Sequence, residues 1–199
     1  MFTMPRALPR QVTHPVVGVL AKLGVTPNML TFAQLIGGII AGVVIAEGEL
    51  LIGGVILILS ALLDAFDGTL ARTTGRATPF GGVFDSSIDR LFEGAVLGGL
   101  LWHYLDSGDK TEAMLVFVAA IGSLCVSYVR ARAEVEGVSM YDGLFTRPVR
   151  IVLLAAGLVL GGLTVVLWVL AVMTLLTTAH RLFVAWQRLK DAPPRAPRP

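Results

Sequence analysis

Six apolar segments, each close to the length of a membrane-crossing helix, divide the sequence from residue 28 onward. They span residues 28–46, 50–71, 80–104, 111–133, 147–162 and 163–187. About 20 residues of helix cross the hydrocarbon of a bilayer, and backbone groups there must be satisfied within the protein. Charged residues make up 15% of the chain, against roughly 25% in soluble domains. The pattern predicts an all-α integral membrane bundle of six transmembrane helices.

Different flanking segments are predicted on either side of this bundle. Residues 1–25 form an interfacial N-terminal segment, because residues 10–25 are amphipathic but too short and polar to span. Residues 26–190 form the six-helix transmembrane domain, in which Asn28 is expected to cap the first helix. Residues 191–199, rich in Pro and Arg, are predicted to be disordered. We expect no cleaved signal peptide, since no compact apolar core precedes a small-residue cleavage site.

Basic residues are concentrated on one side of the predicted bundle. On that side lie Arg6, Arg10, Lys22, Arg72, Arg76, Arg90, Arg130, Arg132, Arg147, Arg150, Arg181, Arg188, Lys190, Arg195 and Arg198. The opposite loops carry Lys110 as their one basic residue, beside several carboxylates. By the positive-inside rule, both termini and this side of the bundle are cytoplasmic, in the cell (inner) membrane.

Two pairs of aspartates lie at this cytoplasmic side. Asp64 and Asp67 are three residues apart at the end of the second segment, and Asp85 and Asp89 are four apart at the start of the third. Each pair therefore shares one helix face. The intervening link contains Gly68, Gly75, Gly81 and Gly82. Such a link permits a tight reversal, so the two pairs are expected to meet.

Four carboxylates at membrane depth repel one another and are costly to desolvate. Arg72 and Arg90 can offset part of this charge, and a divalent cation can do so better, because carboxylates are hard oxygen ligands. Two alternatives to a metal site remain: the carboxylates are solvated at the helix ends, or they form a purely structural salt-bridge network. Intramembrane carboxylates are functional by default, which favours a metal site.

The aspartates lie in the motif Asp64-x-x-Asp67-Gly68-x-x-Ala71-Arg72, followed after eight residues by Gly81-x-x-x-Asp85-x-x-x-Asp89. This motif resembles the signature of the CDP-alcohol phosphatidyltransferases, with eight fixed positions over 26 residues. Such enzymes attack the β-phosphate of a CDP-linked lipid with an alcohol and release CMP. The resemblance implies that Asp64, Asp67 and Asp85 are ligands of Mg²⁺, or of Mn²⁺. Asp89 would be the general base and can also be a metal ligand.

The same resemblance implies a nucleotide site. Gly68 would let the nucleotide approach the backbone, Arg72 would reach the phosphates, and Thr78 would donate a hydrogen bond. Asn28 and Thr31 match the positions where the family closes over the cytidine.

Three arginines are placed to form a second site. Arg130 ends the fourth segment, Arg150 starts the fifth, and Arg181 lies about two turns inside the sixth. The alternative explanation is that these arginines extend their charged ends to the membrane surface and set the orientation of the helices. It fits Arg181 poorly, because this residue lies about two turns inside its helix. If the three side chains converge, they form a strong site for a phosphate dianion. A phosphorylated acceptor is then favoured over a neutral alcohol such as inositol.

A further stretch is similar to the phosphatidylinositol-phosphate synthases, which join CDP-diacylglycerol (CDP-DAG) to inositol phosphate. The similar residues are Ser127-Tyr128-x-Arg130-Ala131-Arg132-Ala133-Glu134, Asp142-Gly143 and Arg147-Pro148-x-Arg150. By position, Arg130, Arg150 and Arg181 match the acceptor-phosphate pocket of that subfamily. Thr146 and Val149 stand where its pattern is acidic, and glycerol phosphate, used by phosphatidylglycerophosphate synthases, is the alternative acceptor.

A small membrane transporter is the alternative from outside the enzymes. It would be expected to carry charges near the membrane midplane and to show a repeat, whereas here the charges crowd the cytoplasmic ends and no repeat is visible. The expected partners are CDP-DAG, a phosphorylated alcohol and membrane lipids, and no nucleic acid. The small residues of GGIIAG, 37–42, permit close helix packing within one chain or across a dimer. The family resemblance favours a homodimer.

Overall fold

The computed structural model describes residues 10–140 and 145–191, and over these ranges the chain is helical, without a strand. The helices are α1 (Arg10–Lys22), α2 (Pro27–Ala46), α3 (Leu50–Thr73), α4 (Pro79–Ser107), α5 (Lys110–Val135), α6 (Arg147–Leu160) and α7 (Leu163–Leu189). The all-α prediction is confirmed. The predicted segments match α2 to α7 closely, including the break at Gly161 and Gly162. Asp142, Gly143, residues 1–9 and most of the predicted disordered tail (192–199) lie outside the described residues.

The start of α2 corrects one prediction. Thr26, in extended backbone, is the N-cap, and its Oγ1 accepts a hydrogen bond from the Met29 amide at 3.3 Å. Pro27 occupies the first helical turn, so the expected cap at Asn28 is wrong. The residue before a proline is pushed toward extended backbone, which places the cap one position before Pro27. Asn28 is therefore exposed, inside the first turn.

Four helices are long and apolar enough to cross a membrane, namely α2, α3, α5 and α7. This chain is therefore a membrane protein. Helix α4 has 29 residues but carries four charged side chains in its first half. Helix α6 has 14 residues, or about 21 Å at 1.5 Å per residue, against about 30 Å of hydrocarbon. The six crossings predicted from the sequence stay a prediction.

Helices α2 to α7 close into a ring. Each packs on two neighbours, in the spatial order α2, α3, α6, α7, α5, α4 and back to α2, and α1 lies against α3. The interior is filled by apolar side chains that are fully buried or nearly so. Among them are Ile45, Leu57, Phe92, Leu100 and Leu167. The ring brings the end of α3 and the starts of α4 and α6 together, and these segments carry the charged residues discussed below.

Helices α2 and α4 cross with their backbones in contact. A Cβ atom added at Gly99 would collide with the carbonyl group of Gly42, and one added at Gly42 would collide with the carbonyl group of Ala95. These contacts lie within one chain. The crossing therefore requires glycine on both helices.

We expect Gly99→Ala to lower the temperature of half-unfolding in detergent. The added methyl group collides with backbone atoms, which cannot move away as a flexible side chain could. Overpacking of this kind lowers the free energy of unfolding by about 1–3 kcal/mol. The matched control is Gly98→Ala, since a Cβ at Gly98 meets nothing within 4 Å. Equal unfolding temperatures for the two variants would contradict the crossing.

Candidate active site

The structure brings three of the four aspartates into one cluster. Asp64 and Asp67 lie near the end of α3, and Asp85 lies in the second turn of α4. One carboxylate oxygen from each lies within 4.8 Å of the others. Asp67 is only 4% exposed. Like charges at this spacing need a counter-charge, since an unpaired buried charge is costly.

The residues of this cluster fit a divalent cation. All the donor atoms are carboxylate oxygens, the ligand type that hard cations prefer. Asp85 Oδ1 is buried and has no hydrogen-bond partner within residues 10–140 and 145–191. A buried acceptor without a partner is unusual in native structures, and a bound cation would satisfy it.

Thr31 orients Asp67. Its Oγ1 lies 2.6 Å from Asp67 Oδ2 and 3.1 Å from the carbonyl oxygen of Pro27. A hydroxyl group has one proton, and the short bond to the carboxylate is the stronger of the two. Helix α2 therefore fixes the rotamer of a carboxylate on α3. The predicted contact of Thr31 with cytidine stays a prediction.

Asp89 lies beside the cluster, in contact with two side chains that the sequence analysis did not assign to the site. Arg147 Nη1 is 2.8 Å from Asp89 Oδ1 and 3.2 Å from Asp64 Oδ2. Gln34, fully buried on α2, donates a longer hydrogen bond of 3.4 Å to Asp89 Oδ1. The sequence signals for these residues are the Arg-Pro-x-Arg stretch for Arg147 and, for Gln34, an amide side chain inside an apolar segment.

The residues predicted to bind the nucleotide surround the ends of α3, α4 and α2. Arg72 is exposed and lies next to Gly68, where an added Cβ would be 3.3 Å from Arg72 Nη1. Thr78 caps α4 by accepting a hydrogen bond from the Gly81 amide at 3.0 Å, which leaves its own proton free to donate. Asn28 lies near the same glycine, with its Oδ1 3.8 Å from the position of an added Cβ.

Arg181 lies within electrostatic range of both Arg130 and Arg150. Arg181 is 5% exposed, and its Nη1 donates to the carbonyl oxygen of Val126 at 2.7 Å. Its Nε is buried without a hydrogen-bond partner. Arg130, on the outer side, pairs with Glu134 at 2.8 Å. The cluster therefore contains one buried donor that is free to bind an anion.

Arg150 is already paired with a residue that the sequence analysis did not assign to this cluster. Its Nε and Nη2 lie 2.7 and 2.8 Å from the two carboxylate oxygens of Glu93, on α4. The side chains are 3% and 8% exposed. A buried charge needs such a partner, because removing it leaves the other charge uncompensated. A contact of Arg150 with an acceptor phosphate stays a prediction.

Comparison with known proteins places this geometry in a family. The model of the CDP-alcohol phosphatidyltransferase family matches residues 24–184. The phosphatidylinositol phosphate synthase of Corynebacterium glutamicum is 37% identical over 185 residues, which cover 87% of this chain and 84% of that protein.

Two crystal structures of the phosphatidylinositol phosphate synthase of Mycobacterium tuberculosis have the same fold. The structure with CDP-DAG bound has a TM-score of 0.87 and 28% identity, covering 94% of this chain and 100% of that chain. The structure in complex with manganese and citrate has a TM-score of 0.84 and 29% identity, covering 92% and 93%. A divalent metal thus accompanies the same fold in a relative. With a family match over most of its length and an aspartate cluster that fits a divalent cation, the chain belongs to the CDP-alcohol phosphatidyltransferases.

Proposed function

We propose that this protein transfers the phosphatidyl group of CDP-DAG to inositol phosphate, producing phosphatidylinositol phosphate and CMP. The observation that carries the proposal is the convergence of Asp64, Asp67 and Asp85, with Asp89 beside them. Relatives named for this activity match over most of both chains. Membership of a transferase family also removes the small transporter as an alternative.

Mg²⁺ is the cation that we propose for this site, with Mn²⁺ as a substitute. Asp64, Asp67, Asp85 and Asp89 would hold it, Asp89 in addition to its role as base. When bound, the cation supplies charge neutralisation for the diphosphate. Thr31 keeps the buried Asp67 carboxylate aimed into the cluster.

Asp89 is the proposed general base. It accepts the proton of the acceptor hydroxyl as that oxygen bonds to the β-phosphorus of CDP-DAG. The bond from this phosphorus to the bridging oxygen breaks, and CMP leaves with the electron pair. Gln34 and Arg147 both contact Oδ1 of Asp89, so they fix the orientation of its carboxylate. A base positioned in this way contributes roughly 10²–10⁴-fold to the rate.

The cytidine diphosphate is placed by residues from three helix ends. Gly68 leaves room for it beside α3, Arg72 and Thr78 donate to its phosphates, and Asn28 and Thr31 close over the cytidine. The exposure of Arg72, Thr78 and Asn28 supports this assignment, because a ligand can reach them.

The acceptor phosphate is bound by Arg130, Arg150 and Arg181. Arg181 supports an anionic ligand most directly, because its buried Nε has no hydrogen-bond partner among the described residues and both other arginines lie in electrostatic range of it. Arg130 and Arg150 already pair with Glu134 and Glu93, so they would contribute positive charge around Arg181. Free inositol carries no negative charge to pair with Arg181. Glycerol phosphate shares the phosphate, so it is the alternative acceptor.

The proposed setting is the cell (inner) membrane, crossed six times by residues 26–190, with α1 at the membrane interface. Both termini and the active site face the cytoplasm, where the basic residues are concentrated. The short α6 packs between α3 and α7, and this packing supports its assignment as the fifth crossing. We further propose a homodimer surrounded by membrane lipids.

Acceptor choice is tested by a side-by-side assay of the purified protein with CDP-DAG and four acceptors. Inositol phosphate is expected to be used, and inositol and serine to be left almost untouched, because only the phosphate engages the arginines. Preference for glycerol phosphate would support the phosphate-binding pocket but identify glycerol phosphate, and not inositol phosphate, as the acceptor. Preference for inositol or serine would contradict the proposal.

The pocket itself is tested by Arg181→Gln. Losing one charged hydrogen-bond donor costs about 1.5–3 kcal/mol, or roughly ten- to a hundredfold. We expect the KM for inositol phosphate to rise by that factor, with little change in the KM for CDP-DAG. Arg76→Gln, in the exposed loop before α4, is the control. An unchanged acceptor KM in Arg181→Gln would remove Arg181 from the pocket.

A further inference from the structure

We propose that Arg147 is a built-in counter-ion of the carboxylate site, which competes with the divalent cation for Asp64 and Asp89 and offers its free edge to the substrate diphosphate. This inference rests on the proposed metal site. It gives Arg147 a role that neither the nucleotide site nor the acceptor pocket described above includes.

The first observation is that Arg147 Nη1 bridges two carboxylates. It lies 3.2 Å from Asp64 Oδ2 and 2.8 Å from Asp89 Oδ1. Asp64 is also one of the three residues whose oxygens converge in the cluster. A guanidinium group and a divalent cation on the same carboxylate repel each other and share its negative charge. Arg147 therefore lowers the affinity of the site for a cation.

The second observation is that the rest of the guanidinium has no partner. Nε and Nη2 of Arg147 are buried and have no hydrogen-bond partner among the residues that the structure describes. These two nitrogens form one planar edge, which suits two oxygens of a phosphate. Buried donors left unpaired are costly. An anion bound at this edge would remove that cost. Because Arg147 contacts the carboxylates of the proposed metal site, where the diphosphate would bind, we assign the edge to the diphosphate.

The third observation is that Arg147 is held in place. It is the first residue of α6, and its guanidinium carbon lies 5.6 Å from the centre of the Phe92 ring, which is fully buried. Arg150, one turn later on the same face, is occupied by both oxygens of Glu93. Of these two arginines, Arg147 is the one with a free edge.

Charge balance indicates when this edge is used. Arg147 attracts Asp85 and Asp89 electrostatically, and Arg90 attracts Asp85 in the same way. With both arginines present, one divalent cation balances the four carboxylates, and a bound diphosphate adds new negative charge. We therefore expect cation and CDP-DAG to bind cooperatively, with Arg147 contributing to both equilibria.

The test compares Arg147→Gln and Arg147→Lys in the full-length protein. Mn²⁺ binding is followed by electron paramagnetic resonance, and CDP-DAG binding is measured separately with Mn²⁺ present. Removing the charge with Arg147→Gln should tighten Mn²⁺ binding about tenfold or more without substrate, and weaken CDP-DAG binding about ten- to a hundredfold. Arg147→Lys keeps the charge, so Mn²⁺ affinity should stay within about threefold, while CDP-DAG binding still weakens because the planar edge is lost.

Arg132→Gln serves as the control, because Arg132 is exposed on α5 and pairs with Glu136. Unchanged Mn²⁺ affinity in Arg147→Gln would overturn the counter-ion role, and unchanged CDP-DAG affinity would overturn the phosphate contact. Failure of Mn²⁺ to bind the unaltered protein would overturn the metal site itself and this inference with it. If Mn²⁺ binds the unaltered protein and Arg147→Gln with the same affinity, this inference alone is overturned and the metal site stands.

Discussion

Asp67→Asn is expected to lower turnover by about 10³-fold or more. Asp67 is the most buried carboxylate of the cluster, and its rotamer is fixed by Thr31. Asparagine has the same shape and can still accept that hydrogen bond, so the variant removes one negative charge and little else. A cation at a transferring phosphate contributes several kcal/mol, and each 1.36 kcal/mol is a tenfold change in rate. CMP release and Mn²⁺ binding should fall together.

The matched control for this variant is Asp106→Asn. Asp106 is exposed near the far end of α4, away from the cluster, and should tolerate the change. Chelation should reproduce the effect in the unaltered protein, with recovery on adding Mg²⁺ or Mn²⁺. Full activity in excess EDTA, or an Asp67→Asn variant with normal turnover, would contradict the metal site.

Asp89→Asn is expected to lower turnover by roughly 10²–10⁴-fold, the usual contribution of a general base. The amide oxygen can still accept from Gln34 and Arg147, so the local structure should persist. CDP-DAG binding should remain near that of the unaltered protein. The measurement is single-turnover CMP release alongside CDP-DAG binding.

The two possible roles of Asp89 give different results in this experiment. A variant that has lost CDP-DAG binding would identify Asp89 chiefly as a metal ligand. A variant with unchanged turnover would exclude it as the base.

Most of the helical architecture could be predicted from hydrophobic segment lengths and breakers. Gly161 and Gly162, both with positive φ, separate α6 from α7 as expected. The cap of α2 is Thr26 and not the predicted Asn28, because Pro27 pushes the residue before it into extended backbone. The six crossings stay a prediction for two helices in particular, since α6 has 14 residues and α4 carries four charged side chains in its first half.

The aspartate cluster was predictable for a local reason. Spacings of three and four residues fix which side chains share a helix face, and a short link brings two consecutive helices together. Asp64, Asp67 and Asp85 do converge. The polar partners of the site were not predictable in this way. Arg147 contacts Asp64 across 83 residues of sequence, and Gln34 contacts Asp89 across 55.

The arginine cluster shows the same limit. Arg150 was assigned to a phosphate because its position and charge suit one. Glu93, 57 residues away on α4, neutralises it through two hydrogen bonds. Periodicity along one helix cannot reveal which side chain of another helix faces it. Which side chains face each other depends on which helices are neighbours in the ring.

The central claim is that the aspartate cluster carries out a metal-dependent phosphatidyl transfer. It is tested most directly by measuring CMP and phosphatidylinositol phosphate in the same reaction, with CDP-DAG and inositol phosphate, before and after chelation. Equal amounts of both products, formed only while Mg²⁺ or Mn²⁺ is present, are the expected result. CMP released without the lipid product, or both products formed in excess EDTA, would contradict the claim.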